Sequence, residues 1–531
     1  VFYSDMNSFG PGLTSALWFN FYWILMSFLG LLIAGALWNR GSKSSLFSRI
    51  KMARREVPKS YRGIIALSAI VWIGVASFIY YNTQVLNPYR SSDVTDQLSA
   101  DYEKKYSKYR DVVSPKITDA KYFIDIFPEE RNINVKADIQ LTNASNKAID
   151  SLHFYNLEGW DTKLTIPNAT AVFEDDSYLY TIYKLSPALQ PGEQILLHVA
   201  NTYLTKGFEN GRGNTNIINN GTFLNNGDVL PTMGYAENFE LSDKNTRKKY
   251  NLEPKERMPK LTREISDLHN NNTISNGQSD YINVETIIST SKDQTAIAPG
   301  SLIKKWEENG RDYYHYKSDT PSLNFYAFMS GDYEIAKRKW NDIDIEVYYD
   351  EKHPENVEMM LDAVERSLTY YTENFGPYFH KQCRIIEFPR YATFAQAFPG
   401  TMPYSEALGF IINLEDESGN NVVDAVIAHE MAHQWWAHQV VGANMQGSVM
   451  MSESFSEYSA LMTIKNRTDN PMKMREFLKY DHDRYLRGRS GELLKELPLY
   501  TVENQGYIHY GKGSVILYAL QDYIGEDKVN L

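Results

Sequence analysis

The N-terminal part of the chain contains two continuous apolar stretches. Residues 16–38 and 63–81 hold no ionisable side chain other than tyrosine, and both are long enough to cross the hydrocarbon core of a bilayer as helices. Trp18, Trp38 and Tyr61 lie near their ends, where interfacial aromatic residues are common. The pattern predicts a membrane region over residues 1–90 with two transmembrane helices. A pair of buried helices in a soluble core is the alternative.

The rest of the chain shows two other patterns. Residues 91–115 are polar and charged, as in a connector, and apolar and polar residues then alternate through strands such as INVKADIQL. This alternation predicts an antiparallel β domain over residues 116–330. Beyond it, residues 354–376 have helical spacing of apolar positions, 409–415 read as a short strand, and a long helix begins near Asn421. These elements predict a mixed α/β domain over residues 331–531.

Composition narrows the class of protein. A chain of 531 residues is expected to hold more than one domain. Its single cysteine, Cys383, excludes an internal disulfide framework and a zinc site built from several cysteines. The net charge of −12 argues against a nucleic-acid-binding protein, which typically has a basic surface.

The unevenness of the charge predicts an orientation. Residues 39–62, between the two apolar stretches, are rich in Lys and Arg and contain a single acidic residue, Glu56. By the positive-inside rule this loop is cytoplasmic, so everything after residue 82 is expected outside the cytoplasm. Because the chain starts at Val1 and stops directly after an amphipathic stretch, we expect it to be part of a longer protein.

The strongest chemical signal is the run VIAHEMAHQWW, which contains the motif H-E-x-x-H. On a helix His429 and His433 lie one turn apart on the same face, so both imidazoles can reach one metal ion. Glu430 lies beside them, placed to accept a proton from activated water. Because the surrounding residues are apolar, two histidines and a glutamate without a function would be costly to bury here. The pattern predicts one zinc ion per chain.

A catalytic zinc ion needs a third protein ligand. The metzincin arrangement fails, because Trp436 and Gln439 stand where it needs Gly and His. A carboxylate on a following helix is the other solution, and MMSESFSEYSALM offers both Glu453 and Glu457 at helical spacing.

A second motif is a near miss. GYIHYGKGS, residues 506–514, matches a phosphate-binding loop except that Gly513 replaces the Ser or Thr that ligates Mg²⁺. Its bulky rings also prevent the backbone N–H groups from converging on an anion. A nucleotide site is therefore not expected here.

Together these motifs resemble the gluzincin metallo-aminopeptidases of the aminopeptidase N type. That family has H-E-x-x-H, eighteen residues, then a Glu in an N-E-G-F-like run; here the run is SESF and the gap is nineteen residues. The resemblance implies a thermolysin-like catalytic domain, a saddle-like β domain before it, and Glu453 as the third zinc ligand. Glu457 ranks second, because the gap is one residue too long.

The resemblance also implies further site residues. The family's G-x-M-E-N motif corresponds to GTMPYSEALGFI, which makes Gly400, Met402 and Glu406 substrate-binding and gives Glu406 the free α-amino group. The predicted strand at 409–412 would then flank the substrate backbone. The family's Y-E-K-G run corresponds to YGKG, so Tyr510 would donate to the oxyanion, with Tyr507 a weaker candidate.

The apolar stretches and the sequence around the zinc motif look like one branch of the family, in which the peptidase is fused to an ABC-type permease. The resemblance implies a membrane-anchored aminopeptidase acting on peptides outside the cytoplasm. Further permease helices and an ABC ATPase subunit are expected as partners, and part of the C-terminal helical region is missing. Two alternatives stay open, a thermolysin-like endopeptidase and a transport-associated peptide-binding component.

Overall fold

The computed structural model describes residues 2–38, 45–263, 271–275, 277–414, 421–467 and 471–531. The chain forms two compact units, one of Val1–Ser92 with Thr205–Thr215, and one of Asp93–Leu204 with Asn216–Leu531. The basic residues Arg40 and Lys43 of the predicted cytoplasmic loop lie outside the described residues.

The first unit is helical. It contains α1 (Gly12–Ala36), α2 (Leu46–Glu56) and α3 (Lys59–Tyr80), and α3 continues as a π-helical turn over Tyr81–Leu86. Helices α1 and α3 pack through aromatic side chains, with the rings of Trp18 and Phe78 4.6 Å apart. Their other faces expose large apolar side chains, such as Leu31 at 72%. By length and composition both helices are candidate membrane spans, and a signal sequence near the N-terminus would meet the same criteria.

The N-terminal part of the second unit is built from strands. Its strands are β1 (Lys116–Phe127), β2 (Asn132–Thr142), β3 (Ile149–Tyr155), β4 (Asp161–Thr165), β5 (Ala169–Asp175), β6 (Tyr180–Leu189), β7 (Gln194–Tyr203), β8 (Thr222–Asn225), β9 (Thr232–Met233), β10 (Ser279–Ser291), β11 (Thr295–Ile297), β12 (Ser301–Glu308), β13 (Arg311–Lys317), β14 (Ser322–Leu323) and β15 (Ala327–Gly331). Its helices are α4 (Ser92–Tyr106), α5 (Asn226–Val229) and α6 (Lys244–Lys249).

The largest sheet is mixed rather than antiparallel as the sequence predicts. Its strands run in the order β12-β13-β10-β1-β2-β7-β4, with β14 added to β10. Strand β1 is antiparallel to β2 but parallel to β10. A parallel pair needs a long connection, and the whole succession β2–β9 lies between these two strands. Alternate residues of β1 and β2 are buried, so each strand contributes one face to the apolar core.

A helix lies where the sequence predicts a connector. Helix α4 packs against the strands with Tyr102, whose ring stacks on that of Tyr235 at 5.2 Å. Its Glu103 forms a bidentate ion pair with Arg247, and both hydrogen bonds are 2.8 Å long. Arg247 is only 4% exposed, so this ion pair is buried.

The C-terminal part of the second unit is α/β. It contains β16 (Glu334–Trp340), β17 (Ile343–Tyr349), β18 (Gln382–Phe388), β19 (Thr401–Ser405), α7 (Val357–Phe375), α8 (Val422–Ala432), α9 (Phe455–Arg467), α10 (Pro471–Gly491), α11 (Gly513–Ile524) and α12 (Glu526–Asn530). The sheet order is β16-β17-β18-β19, and only β16 is antiparallel to its neighbour. Helices α7 and α8 share one apolar core with this sheet, which fixes α8 against it.

A tight hairpin extends the sheet beyond β19. Residues 394–398 run antiparallel to β19, with the Gln396 N–H donating to the Pro403 carbonyl at 3.1 Å and Phe398 N–H to the Thr401 carbonyl at 2.8 Å. Gly400 closes the turn with a φ of +63°, and a Cβ there would lie 2.7 Å from the Gln382 amide nitrogen. The strand predicted over 409–412 is absent, because the chain turns there.

Candidate zinc centre

Helix α8 presents the two histidines of the H-E-x-x-H motif. Asn421 caps its N-terminus by accepting from the Asp424 N–H at 3.1 Å, and the Tyr371 hydroxyl donates to the Ala428 carbonyl at 2.8 Å. His429 and His433 are both buried, and their Nε2 atoms are 3.0 Å apart. The predicted pairing of these imidazoles on one helical face is thus present.

Glu453 completes a three-ligand set. Its Oε2 atom lies 3.4 Å from Nε2 of both His429 and His433, and it is buried without a hydrogen-bond donor. Ligands about 2.0–2.1 Å from a tetrahedral zinc ion are separated from one another by roughly 3.3 Å. Two imidazole nitrogens and one carboxylate oxygen at these separations therefore fit zinc, and a fourth position remains for water or substrate.

The longer gap before Glu453 has a structural cause. Met450–Ser454 form a π-helical turn directly before α9, and such a turn holds one residue more than an α-helical turn. The extra residue of the nineteen-residue gap is accommodated there. Glu453 consequently faces both histidines despite the departure from the family spacing.

Glu457, the other candidate ligand, lies behind His429 instead. Its Oε2 atom is 2.6 Å from Nδ1 of His429, on the opposite side of the ring from the ligand set. Nδ1 of His433 has a comparable environment, 3.0 Å from the Ser456 hydroxyl and 3.2 Å from the Trp436 carbonyl. Such contacts fix the ring orientation and leave Nε2 free to bind metal.

The charges of the ligand set reinforce one another. Burial disfavours the charged form of His429, but the carboxylates of Glu457 and Glu453 outweigh it and raise the pKa. Burial would raise the pKa of Glu453, yet His433 and His429 hold it well below its usual range. For Glu430 burial prevails over the two histidines and raises the pKa, as suits a group that must both accept and release a proton.

Among the described residues, two of the larger cavities adjoin the ligand set. One of about 380 Å³ is lined by His429, Glu430 and Tyr510, with apolar side chains of α8, α9 and α10. Another of about 270 Å³ is lined by His433, Glu453 and the sheet-edge residues Gln396 and Ala397. The ligand set can thus be approached from the His429 side and from the His433 side.

Tyr510 lies beside the ligand set, as the sequence predicts. Its ring is 5.8 Å from that of His429, and burial together with the charge of Glu453 raises the pKa of its hydroxyl. It belongs to a second π-helical turn, Tyr507–Lys512, which Ser454 joins by donating from its hydroxyl to the His509 carbonyl at 2.7 Å. Tyr507 does not line either of the two cavities.

The glycines of the near-miss phosphate loop allow close packing. A Cβ on Gly511 would lie 2.7 Å from the Asp481 carbonyl oxygen, and one on Gly513 would lie 2.3 Å from the Ser454 hydroxyl. Lys512 pairs with Glu496. The Gly-Lys-Gly run therefore supports the turn that carries Tyr510, and its lysine is engaged by a carboxylate of the protein.

The structure places Glu406 in a cluster separate from the His429–His433–Glu453 set, so its role as amine anchor stays a prediction. Glu406 is 0% exposed and accepts from the Arg390 N–H at 3.1 Å, and it clusters with His353 and Glu387 at the carboxyl ends of the parallel strands. Neither cavity beside the ligand set is lined by Gly400, Met402 or Glu406. In the same region residues 394–398 pair with β19, and Met402 packs into the apolar core.

Two residues of the site were missed by sequence reasoning. Arg484 and Asp481 of α10 line the cavity on the His429 side. They lie far along the chain from the zinc motif, and a charged helix of ordinary composition offers no local signal for them.

Comparison with known proteins finds similarity to one peptidase family. Residues 359–530 match the model of the peptidase family M1 domain. Tricorn protease-interacting factor F2 of Thermoplasma volcanium is 24% identical over 251 residues, which is 44% of this chain and 31% of that protein. Probable aminopeptidase 1 of Sulfurisphaera tokodaii is 27% identical over 175 residues, 32% of this chain and 22% of that protein. The chain thus matches about a third or less of these relatives' length.

The fold has solved counterparts. An M1 zinc metallopeptidase from Deinococcus radiodurans aligns with a TM-score of 0.53 at 14% identity, covering 78% of this chain and 85% of that one. At such identity the likeness concerns the fold alone. Residues 359–530 thus resemble the peptidase family M1 domain, and the His–His–Glu set lies within them.

Proposed function

We propose that this chain is a zinc aminopeptidase that removes N-terminal residues from peptides. The observation that carries the proposal is the convergence of His429, His433 and Glu453 on one point, with Glu430 and Tyr510 lining the adjacent cavity. Zinc, when bound, supplies a Lewis acid that polarises a carbonyl group and activates water. The matched metallopeptidases indicate zinc as the metal.

The protein's own groups would perform the remaining chemistry. Glu430 accepts a proton from the attacking water and delivers it to the leaving amine, for which its raised pKa is suited. The Tyr510 hydroxyl keeps its proton because its pKa is raised, so it can donate a hydrogen bond to the oxyanion that develops on the scissile carbonyl.

We further propose that the peptidase is anchored in a membrane and acts outside the cytoplasm. The support is the length and exposed apolar surface of α1 and α3, with the basic character of residues 39–62 between them. In this proposal residues 1–90 belong to an ABC-type permease that needs further helices and an ABC ATPase subunit. Residues 116–330 would be the saddle-like β domain and 331–531 the thermolysin-like catalytic domain.

A second candidate is a zinc peptidase that does not require a free α-amine. Two observations favour it. Glu406 lies in another cluster, so the expected carboxylate anchor for an amine is missing from both cavities. The ligand set also adjoins space on its two sides, which suits a peptide that extends in both directions.

Hydrolysis of one short peptide with a free and with an N-acetylated terminus separates the candidates. The full-length protein is purified in detergent, loaded with zinc, and compared with Glu430→Gln, which should retain zinc and lose activity by about 10²-fold or more. Cleavage of the free form only supports the aminopeptidase. Equal cleavage of both forms supports the second candidate, and no difference between the wild type and Glu430→Gln would contradict the zinc-peptidase mechanism.

A further inference from the structure

The cavity on the His429 side has one cationic wall. Apolar side chains such as Val426 and Leu461 line it, together with one arginine, Arg484, and the carboxylates of Glu430, Glu457 and Asp481. Arg484 lies over the ring of Tyr510, with 4.4 Å between the guanidinium carbon and the ring centroid. A cation is thus held next to the hydroxyl that faces the ligand set.

The acidic neighbours of Arg484 are otherwise engaged. The Asp481 carboxylate accepts from the Ser514 hydroxyl at 2.7 Å, and Glu457 lies against His429. Among the described residues, which leave out 264–270, 415–420 and 468–470, no carboxylate lies within 4.0 Å of the Arg484 guanidinium nitrogens. Stacking on an aromatic ring holds the guanidinium plane without using its N–H donors.

A cation of this kind selects for a carboxylate. The planar guanidinium group offers paired donors that match the two oxygens of a carboxylate, and the bond strengthens in a partly dry cavity. The apolar wall at the same time accommodates an aliphatic side chain. A cavity of about 380 Å³ is large enough for one such residue.

We propose that Arg484 binds a carboxylate of the peptide substrate and makes this side of the site selective for it. The inference rests on the proposed peptidase function and goes beyond it by naming the recognised group. The carboxylate is either the C-terminus of a dipeptide or an acidic side chain of the residue in the cavity. Arg484 acts in binding and is not required for the chemical step.

A binding measurement tests this without turnover. Ala-Leu, Ala-Leu-amide and Ala-Glu-amide are titrated by calorimetry into the zinc-loaded Glu430→Gln protein. We expect at least one carboxylate peptide to bind tenfold or more tightly than Ala-Leu-amide, with Ala-Leu identifying the terminal carboxylate and Ala-Glu-amide the side chain. Adding Arg484→Gln should bring all three affinities within about twofold, whereas Arg484→Lys should retain part of the preference.

Arg487→Gln, an exposed arginine one turn further along α10, is the matched control and should leave the preference unchanged. Equal affinity for the three peptides, no binding of any of them, or a preference that survives Arg484→Gln would each overturn the proposal. A failure of the proposed peptidase function would give a different result: the wild-type protein would bind Ala-Leu in this measurement but would not hydrolyse it.

Discussion

At the scale of single residues, the zinc centre gives two identical side chains different roles. Glu453 and Glu457 are one helical turn apart, yet the first meets Nε2 of both histidines and the second meets Nδ1 of His429. A ligand contributes a bond to the metal, whereas a carboxylate behind a ligand orients the ring and raises its basicity. Substituting Glu453 should therefore reduce zinc binding more than substituting Glu457.

Substituting Glu453 and Glu457 one at a time should distinguish the zinc ligand from the carboxylate that orients His429. We expect Glu453→Gln to abolish stoichiometric zinc binding and Glu457→Gln to weaken zinc affinity by about 10–100-fold. Zinc content after dialysis against graded chelator, measured by atomic emission, gives both numbers. If Glu457→Gln lost zinc completely while Glu453→Gln kept it, the assignment of the third ligand would be reversed.

The Tyr510 hydroxyl provides a test of the chemical step. Tyr510→Phe keeps the ring that packs beside His429 and removes only the donor to the oxyanion. We expect kcat to fall by about 10²–10³-fold with little change in KM, because the lost hydrogen bond forms mainly in the transition state. Tyr507→Phe is the matched control, since Tyr507 lines neither cavity, and a comparable loss there would contradict the role of Tyr510.

At the scale of elements, sequence reasoning succeeded where the signal is local. The H-E-x-x-H helix follows from one pentapeptide, because both ligands lie on one face of a helix. The place of Glu406 could not be derived, because it depends on a hairpin that makes residues 394–398 the sheet edge. The parallel pairing of β1 with β10 is likewise a long-range choice that alternation cannot reveal.

The carboxyl ends of β17 and β18 bring together a buried acid–base pair. Nδ1 of His353 lies 2.6 Å from Oε1 of Glu387, whose other oxygen accepts from the Asp350 N–H at 2.7 Å. Burial opposes a charge on His353, but the bond to Glu387 prevails and raises the pKa to about 9. Burial raises the pKa of Glu387 to about 7.

This pair should make the protein less stable as the pH rises. The contribution of His353 is fully present below about pH 6.5, its unfolded pKa, and is lost as the pH approaches 9. Ionisation of buried Glu387 costs stability as the pH rises from about 4.5 to 7, so it also makes the protein less stable at higher pH. We expect the melting temperature of the wild type to fall from pH 6 to pH 9, and to fall less in a double variant, His353→Gln with Glu387→Gln, which lacks both titrating groups.

Thermal unfolding of both proteins at the two pH values checks this, with roughly 2–4 °C expected for each kcal/mol lost. The exposed His482, substituted by Gln, is the control. An equal fall in the wild type and the double variant would show that the pair does not contribute to the pH dependence.

At the scale of the whole molecule, the two units call for separate explanations. The second unit buries its apolar side chains in cores of its own, whereas the long helices of the first expose theirs. Extended apolar surface of this kind needs either lipid or other protein to cover it. The proposed membrane location satisfies this need, and the single cysteine offers a way to test it.

Cys383 is 1% exposed and should not react with a maleimide, so introduced cysteines can report topology. Ser48→Cys places a thiol in α2 between the apolar helices, and Ser177→Cys places one on the exposed surface of the β region. In sealed right-side-out vesicles, a membrane-impermeant maleimide should label Ser177→Cys, and Ser48→Cys only after detergent is added. Labelling of both without detergent would contradict the proposed cytoplasmic loop.

The π-helical turn before α9 also affects how proteins of this kind can be detected. A search pattern that demands eighteen residues between the second histidine and the glutamate would pass over this chain, or would assign the ligand to Ser452. Because one wide turn restores the geometry, spacing in this region is a looser constraint than the position of the side chain in space. Genome surveys that allow one inserted residue there should recover metallopeptidases that a strict pattern discards.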